Sequence, residues 1–200
     1  MTSADLLSSP HRHPALTIAL HWTSALAVTL AFIVAWSRAA LDDPQPRAAL
    51  MQVHQACGLL VLALLLLRLG TRLATWSARP RHALPKPMQL ASLGTHVVLY
   101  GLLLAMPLLG WALTNAHGHD VRLPGLPALP ALVEADPDVA DTLDSWHVGL
   151  SWVLLSAVGL HVAAALFHHL VRRDGVLRSM LPRPARAAVA ARSPRESRSF

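Results

Sequence analysis

The sequence is short of charge and of cysteine. Only 14% of its 200 residues are charged, while 54% are hydrophobic. A soluble domain usually carries about a quarter charged residues. The deficit is uneven, because the charges gather between long apolar runs, and that pattern points to a membrane protein. The single cysteine, Cys57, can form no internal disulfide. No CxxC or CxxCH occurs, which argues against thiol-bound zinc and against covalently attached c-type haem. Lysine is nearly missing too: all but one of the seventeen cations are arginine, and the formal charge is +6. These cations sit in loops and a tail beside apolar spans, so membrane topology accounts for them better than nucleic acid does. No internal repeat is present.

Four runs are long enough to cross a bilayer, which takes about 20 apolar residues. They are residues 15–37, 50–73, 90–114 and 146–171. The expected fold class is an all-α membrane protein, a four-helix up-down transmembrane bundle over residues 15–181. A short N-terminal segment, 1–14, precedes it, and a basic, disordered tail, 182–200, follows. The first run is too long for a signal-peptide core and is expected to stay. Pro107 is expected to kink the third span, which neighbouring helices make tolerable. Arg68, Arg72, Arg79, Arg81 and Lys86 lie around the second connection, and Arg172, Arg173, Arg178, Arg183 and Arg186 follow the fourth span. The positive-inside rule therefore puts both termini in the cytoplasm. The connection 115–145, with Asp120, Glu134, Asp136, Asp138, Asp141 and Asp144 against Arg122, is then expected outside, resting over the bundle as a cap.

Against this apolar background, the histidines within the spans are costly and so are functional candidates. His147 and His161 are fourteen residues apart, nearly four helical turns, so they share one face within about 40° and lie about 21 Å apart along the axis. His21 and His54 match them in depth on antiparallel helices. His21 with His161 forms an inner pair, and His54 with His147 an outer pair. Two imidazoles facing one another from different helices suit the axial positions of a haem iron. A bare zinc ion more often wants three or four close ligands. Gly58, Gly149 and Gly159 lie near these histidines and leave room for a flat ring or a close helix. Arg68 and Arg72 suit either haem propionates or lipid headgroups. His96 suits a quinone or propionate contact, or an interfacial role. His168 and His169 read as interfacial, His117 and His119 as loop residues, His11, His13 and His82 as solvated, and Cys57 as a packing residue.

The stretches "ALTIALHW", "HQACGLLVLALLLLRLGTRL", "LGTHVVLYGLLLAMPLLGW" and "SWHVGLSWVLLSAVGLHVAAALFHH" resemble, in order and spacing, the bacterial cytochrome b561 family. The similarity runs from about residue 13 to 181. It implies four helices holding two noncovalent b haems by bis-histidine ligation, with the ligands falling on His21, His54, His147 and His161. It also implies electron transfer between a quinone pool and a partner, ubiquinone being the exchangeable substrate. A soluble or periplasmic donor, or superoxide, would meet the outer face, and membrane lipid surrounds the rest. Superoxide, an anion, favours a cationic mouth, and the outer cations are Arg38, Arg47 and Arg122. Two other readings stay open: a haem-bearing membrane-anchor subunit of a dehydrogenase or hydrogenase, and a histidine-lined metal or proton transporter. The lack of any midplane carboxylate in the spans argues against the transporter.

Overall fold

The computed structural model describes residues 14–74, 86–123, 125 and 127–182. The expected N-terminal segment up to residue 13 and the tail from residue 183 lie outside the described residues. The elements are α1 (Ala15–Ala39), α2 (Pro44–Ala74), α3 (Lys86–Ala116), α4 (Pro137–Phe167), a π-helical turn (His168–Arg172) and the short α5 (Val176–Ser179). All four long helices carry windows apolar enough to cross a membrane, with mean hydropathy of 1.9 to 2.0. In lipid each backbone amide must be satisfied within its own segment, so helices are the natural solution for such runs. α1 packs on α2, α2 on α3 and α3 on α4. Leu99, Leu102 and Leu154 form the buried seam between α3 and α4, with Phe32 of α1 against it. The exposed flanks are apolar, as lipid contact requires: Leu26, Leu66, Val97 and Leu160 are all more than half exposed.

α4 starts nine residues before the expected span. The carboxylate of Asp136 accepts the backbone N–H groups of Asp138 and Val139, and Pro137 occupies the first turn. That combination is a strong helix start. The acidic stretch expected as loop is therefore partly helix. At 31 residues and about 1.5 Å per residue, α4 exceeds the roughly 30 Å hydrocarbon core, and its first turns stand clear of it. α3 runs unbroken through Pro107.

The remaining connection, 117–136, folds back on the ends of α3 and α4. Val121 is 2% exposed, and Leu113, Ala116 and Ala140 bury a small cluster with Val133 and Leu143. Asn115, itself buried, ties the connection down. Its Nδ2 donates to the His119 carbonyl, and its Oδ1 accepts the Leu132 N–H. The Trp111 indole donates to the Pro130 carbonyl.

At the opposite end, the chain leaves α4 through the π-helical turn, and Arg173 adopts a left-handed conformation with φ 53°. His168 Nδ1 donates to Asp174 at 2.5 Å, and Arg172 Nε lies 3.8 Å from the same oxygen. Burial pushes the Asp174 carboxyl up. The hydrogen bonds from His168 and the Val176 N–H, with the charges of His168 and Arg172, outweigh it and hold the group below the usual carboxylate range. The Trp22 indole donates to the Met180 carbonyl at 2.7 Å, binding this segment back to α1.

Two outcomes follow from these tethers. Asn115→Ala removes the side-chain partners of the part-buried His119 carbonyl and Leu132 N–H and should cost about 1 kcal/mol, read as a lower thermal midpoint and faster proteolysis between Gly118 and Asp136. A carboxyl with a depressed folded pKa contributes stability above its unfolded value and loses it as pH falls through the folded one. The Asp174–Leu181 segment should therefore open to pepsin as pH drops below the carboxylate range, and Asp174→Asn should remove that pH dependence.

Candidate functional site

Each of the four spanning histidines has its ring turned into the bundle. His21 of α1 and His161 of α4 have ring centroids 6.2 Å apart, with planes at 66°. His54 of α2 and His147 of α4 are also 6.2 Å apart, with planes at 74°. The two pairs sit at opposite ends of α4, and all four side chains are half-buried.

Local hydrogen bonds orient the rings. His54 Nδ1 lies 3.0 Å from the Ala31 carbonyl of α1. A carbonyl can only accept, so Nδ1 carries the proton and Nε2 keeps its lone pair. His147 is fixed by packing instead. A Cβ built on Gly110 of α3 would lie 3.2 Å from His147 Cε1 and 3.6 Å from Nδ1, and that Nδ1 is buried without a partner among the described residues. Gly110 is thus where α3 comes close enough to wall in the ring, a use of glycine that needs no special backbone angle. Gly58, Gly149 and Gly159, expected to leave room beside the histidines, have no protein atom within 4 Å of a Cβ built on them.

A second cluster surrounds the His161 end. The His96 ring of α3 lies 5.9 Å from that of His161, and its Nδ1 donates to the Ser92 carbonyl at 2.6 Å. One turn on, Tyr100 lies 6.3 Å from His96. Arg68 and Arg72 of α2 set their guanidinium carbons 5.6 and 5.8 Å from the Tyr100 ring centre, within cation–π range. Arg72 Nη1 also reaches the Tyr100 hydroxyl at 3.4 Å. The two cations therefore face the interior and share one aromatic ring, while His96 stands between that ring and His161.

The remaining candidates lie apart. His117 donates to the Leu113 carbonyl in the connection, and His168 belongs to the Asp174 tether. Cys57 is buried in α2. Among the described residues, no three or more of His, Cys, Asp and Glu are placed to hold a bare metal ion.

Tyr100, Gly110 and the Ala31 carbonyl are the parts that sequence reasoning passes over. Tyr100 carried a signal: it is the only tyrosine in the chain and follows His96 by one turn. Gly110 carried none, because its importance depends on how closely α3 approaches α4.

A profile described as prokaryotic cytochrome b561 matches residues 12–183. A protein of Yersinia pestis described as "Probable superoxide oxidase CybB" is 34% identical over 86% of this chain and 97% of its own length. Two proteins of Escherichia coli (strain K12) are similar over comparable lengths. The one described as cytochrome b561 homolog 2 is 25% identical over 87% of this chain and 93% of its own. The one described as cytochrome b561 homolog 1 is 29% identical over 83% and 94%.

The Gly110 contact is directly testable. Gly110→Ala forces the His147 ring to give by a few tenths of an ångström and should cost about 1–3 kcal/mol as overpacking. Gly101→Ala, in the same helix with open space around it, should be neutral or stabilise by up to ~1 kcal/mol. Thermal unfolding of the detergent-purified chain compares the two; equal effects would contradict the assigned contact.

Proposed function

This chain belongs to the prokaryotic cytochrome b561 family, and we propose that it is a di-haem member passing electrons between a donor at one membrane face and the ubiquinone pool. In this reading His21 and His161 hold the inner b haem, His54 and His147 hold the outer one, and both termini are cytoplasmic. A b haem held by each histidine pair would supply a one-electron redox centre, with both imidazoles engaged in holding it, and so would favour outer-sphere transfer over oxygen binding.

The observation that carries the reading is the equal spacing of the two imidazole pairs. Metal–imidazole bonds of roughly 2 Å, with ring centres about 1 Å behind the nitrogens, put the centroids roughly 6 Å apart. Both pairs stand at 6.2 Å. The proton on His54 Nδ1 leaves Nε2 as the ligating atom, and the Ala31 carbonyl holds the ring in that orientation. Steric confinement by Gly110 does the same for His147. His147 and His161 lie on one continuous helix, so the two centres keep a fixed separation.

At the inner end, Arg68 and Arg72 supply positive charge for propionates, and Tyr100 holds both guanidinium groups in place. His96 has its Nδ1 committed to Ser92, leaving Nε2 to meet a quinone oxygen and exchange a proton with it. At the outer end, Arg122 is already paired with Asp120 at 2.6 Å, and Arg47 donates to the Leu41 carbonyl. Arg38 and Arg47, at the α1–α2 corner, are then the cations that an anionic donor such as superoxide meets first. The Yersinia protein's description as a probable superoxide oxidase favours that donor. The carboxylates Glu134, Asp136, Asp138, Asp141 and Asp144, all exposed on the cap and the start of α4, favour a second reading, a basic protein as donor.

Haem extraction and the reduced visible spectrum of the purified chain should give two b haems per chain. His21→Ala or His161→Ala should remove one centre, and His54→Ala or His147→Ala the other. Binding of one haem by the unaltered chain would remove one pair from the scheme, and binding of none would overturn it. With two haems present, superoxide should drive ubiquinone reduction without any added protein. Failure of that step alone, with electrons accepted from a basic cytochrome, would select the second reading of the donor.

A further inference from the structure

Beyond the histidine pairs, the segment after α4 forms a cleft of about 260 Å³ lined by His169, Leu170, Arg173, Asp174 and Arg178. Its charges are unevenly satisfied. The Asp174 carboxylate is taken up by His168, by Arg172 and by the Val176 N–H. Arg172, besides its Nε contact with that carboxylate, reaches the Met88 sulfur with Nη1 at 3.2 Å. Arg173 and Arg178 have neither a hydrogen bond nor an ion pair among the described residues, although they share one cleft. An anion seated in that cleft would have both guanidinium groups within its walls.

The backbone changes direction at this cleft. The π-helical turn adds a residue to the helical repeat, and Arg173 follows it in the left-handed region, with φ 53° and ψ 31°. Residues with a Cβ rarely adopt that conformation. The reversal leads into α5, and Arg178 of α5 lines the same cleft as Arg173. The His168–Asp174 bond and the Trp22–Met180 bond hold it there. A helix that merely ended in anchoring arginines would need none of these restraints.

The cleft also spans a polarity boundary. Leu170, which lines it, is 64% exposed, and its neighbours Phe167 and Val171 are 52% and 66% exposed. Side chains of this kind suit acyl chains when a membrane surrounds the helix. Trp22, 42% exposed with its N–H bonded to the Met180 carbonyl, lies at the level where indoles gather, between hydrocarbon and water. An occupant that satisfies both sides must carry an anionic head with several acceptor oxygens and an apolar body.

We propose that this cleft binds the headgroup of an anionic phospholipid, its phosphate between Arg173 and Arg178 and its acyl chains along Leu170. Guanidinium matches phosphate through paired N–H donors, and His169 adds a further donor at the rim. The site serves whichever leaflet meets this end of the bundle, and it is independent of the haem assignments.

The test uses the full-length, haem-loaded chain in phosphatidylcholine vesicles, with spin-labelled phosphatidylglycerol or phosphatidylcholine as the probe. The unaltered chain should immobilise phosphatidylglycerol preferentially. R173Q/R178Q should lower that preference by roughly fivefold or more, with haem content and visible spectrum unchanged. R183Q/R186Q removes the same charge from the tail and should leave the preference intact. Equal losses in the two double variants would mean a diffuse basic field and overturn the site. Absence of preference in the unaltered chain would do the same. Displacement of the labelled lipid by millimolar inorganic phosphate would reassign the cleft to a free anion. Should R173Q/R178Q lose its haem, Arg178→Gln alone carries the same expectation at smaller size.

Discussion

Placing an imidazole in hydrocarbon is costly unless its polar atoms find partners inside the protein. The interior of this bundle is arranged around that constraint. Each of the four spanning histidines is turned inward against another imidazole rather than out to lipid. The Ala31 carbonyl, Gly110 and the approach of α3 to α4 then decide which way the rings point. Leucine and valine fill the space between the pairs, and the outer flanks of the helices are apolar with little patterning because lipid asks nothing else of them. The helices meet pairwise in chain order, and the histidine pairs, with Phe32 of α1 against the α3–α4 seam, add contacts across the middle.

The same economy governs the two ends. At one, arginines that would ordinarily reach out to headgroups bend inward over the single tyrosine. At the other, an acidic connection folds onto the helix ends through one buried asparagine. The protein concentrates its few polar residues where they hold a ring, a turn or a cap. The middle third of each helix is left free of charge.

Much of this could be read from the residues. Apolar run lengths located four spans to within a few residues, apart from the early starts of α2 and α4. Depth along antiparallel helices pairs His21 with His161 and His54 with His147, and those are the rings found 6.2 Å apart. The start of α4 was hidden because a carboxylate-rich stretch reads as loop; yet Asp136 followed by Pro137 is a legible cap and first turn. The position of Gly110 was not legible, since interhelical distance leaves no mark on a one-dimensional pattern. Nor was the His96–Tyr100–Arg68–Arg72 cluster as a unit, because it joins two helices whose relative rotation is fixed only by packing. The π-helical turn after Phe167, beside the contacts around Asp174, likewise has no mark in the sequence pattern.

One helix supplies a member of each imidazole pair, and it is the last of the four to be synthesised. As the chain emerges from the ribosome, α1, α2 and α3 enter the bilayer with His21 and His54 still waiting for their counterparts. Neither pair exists until α4 has crossed, and its crossing then completes both at once. The order of the helices thus acts as a timer: nascent chains truncated before Pro137 hold one member of each pair, and the transition to a molecule with two complete pairs is a single terminal event in membrane insertion.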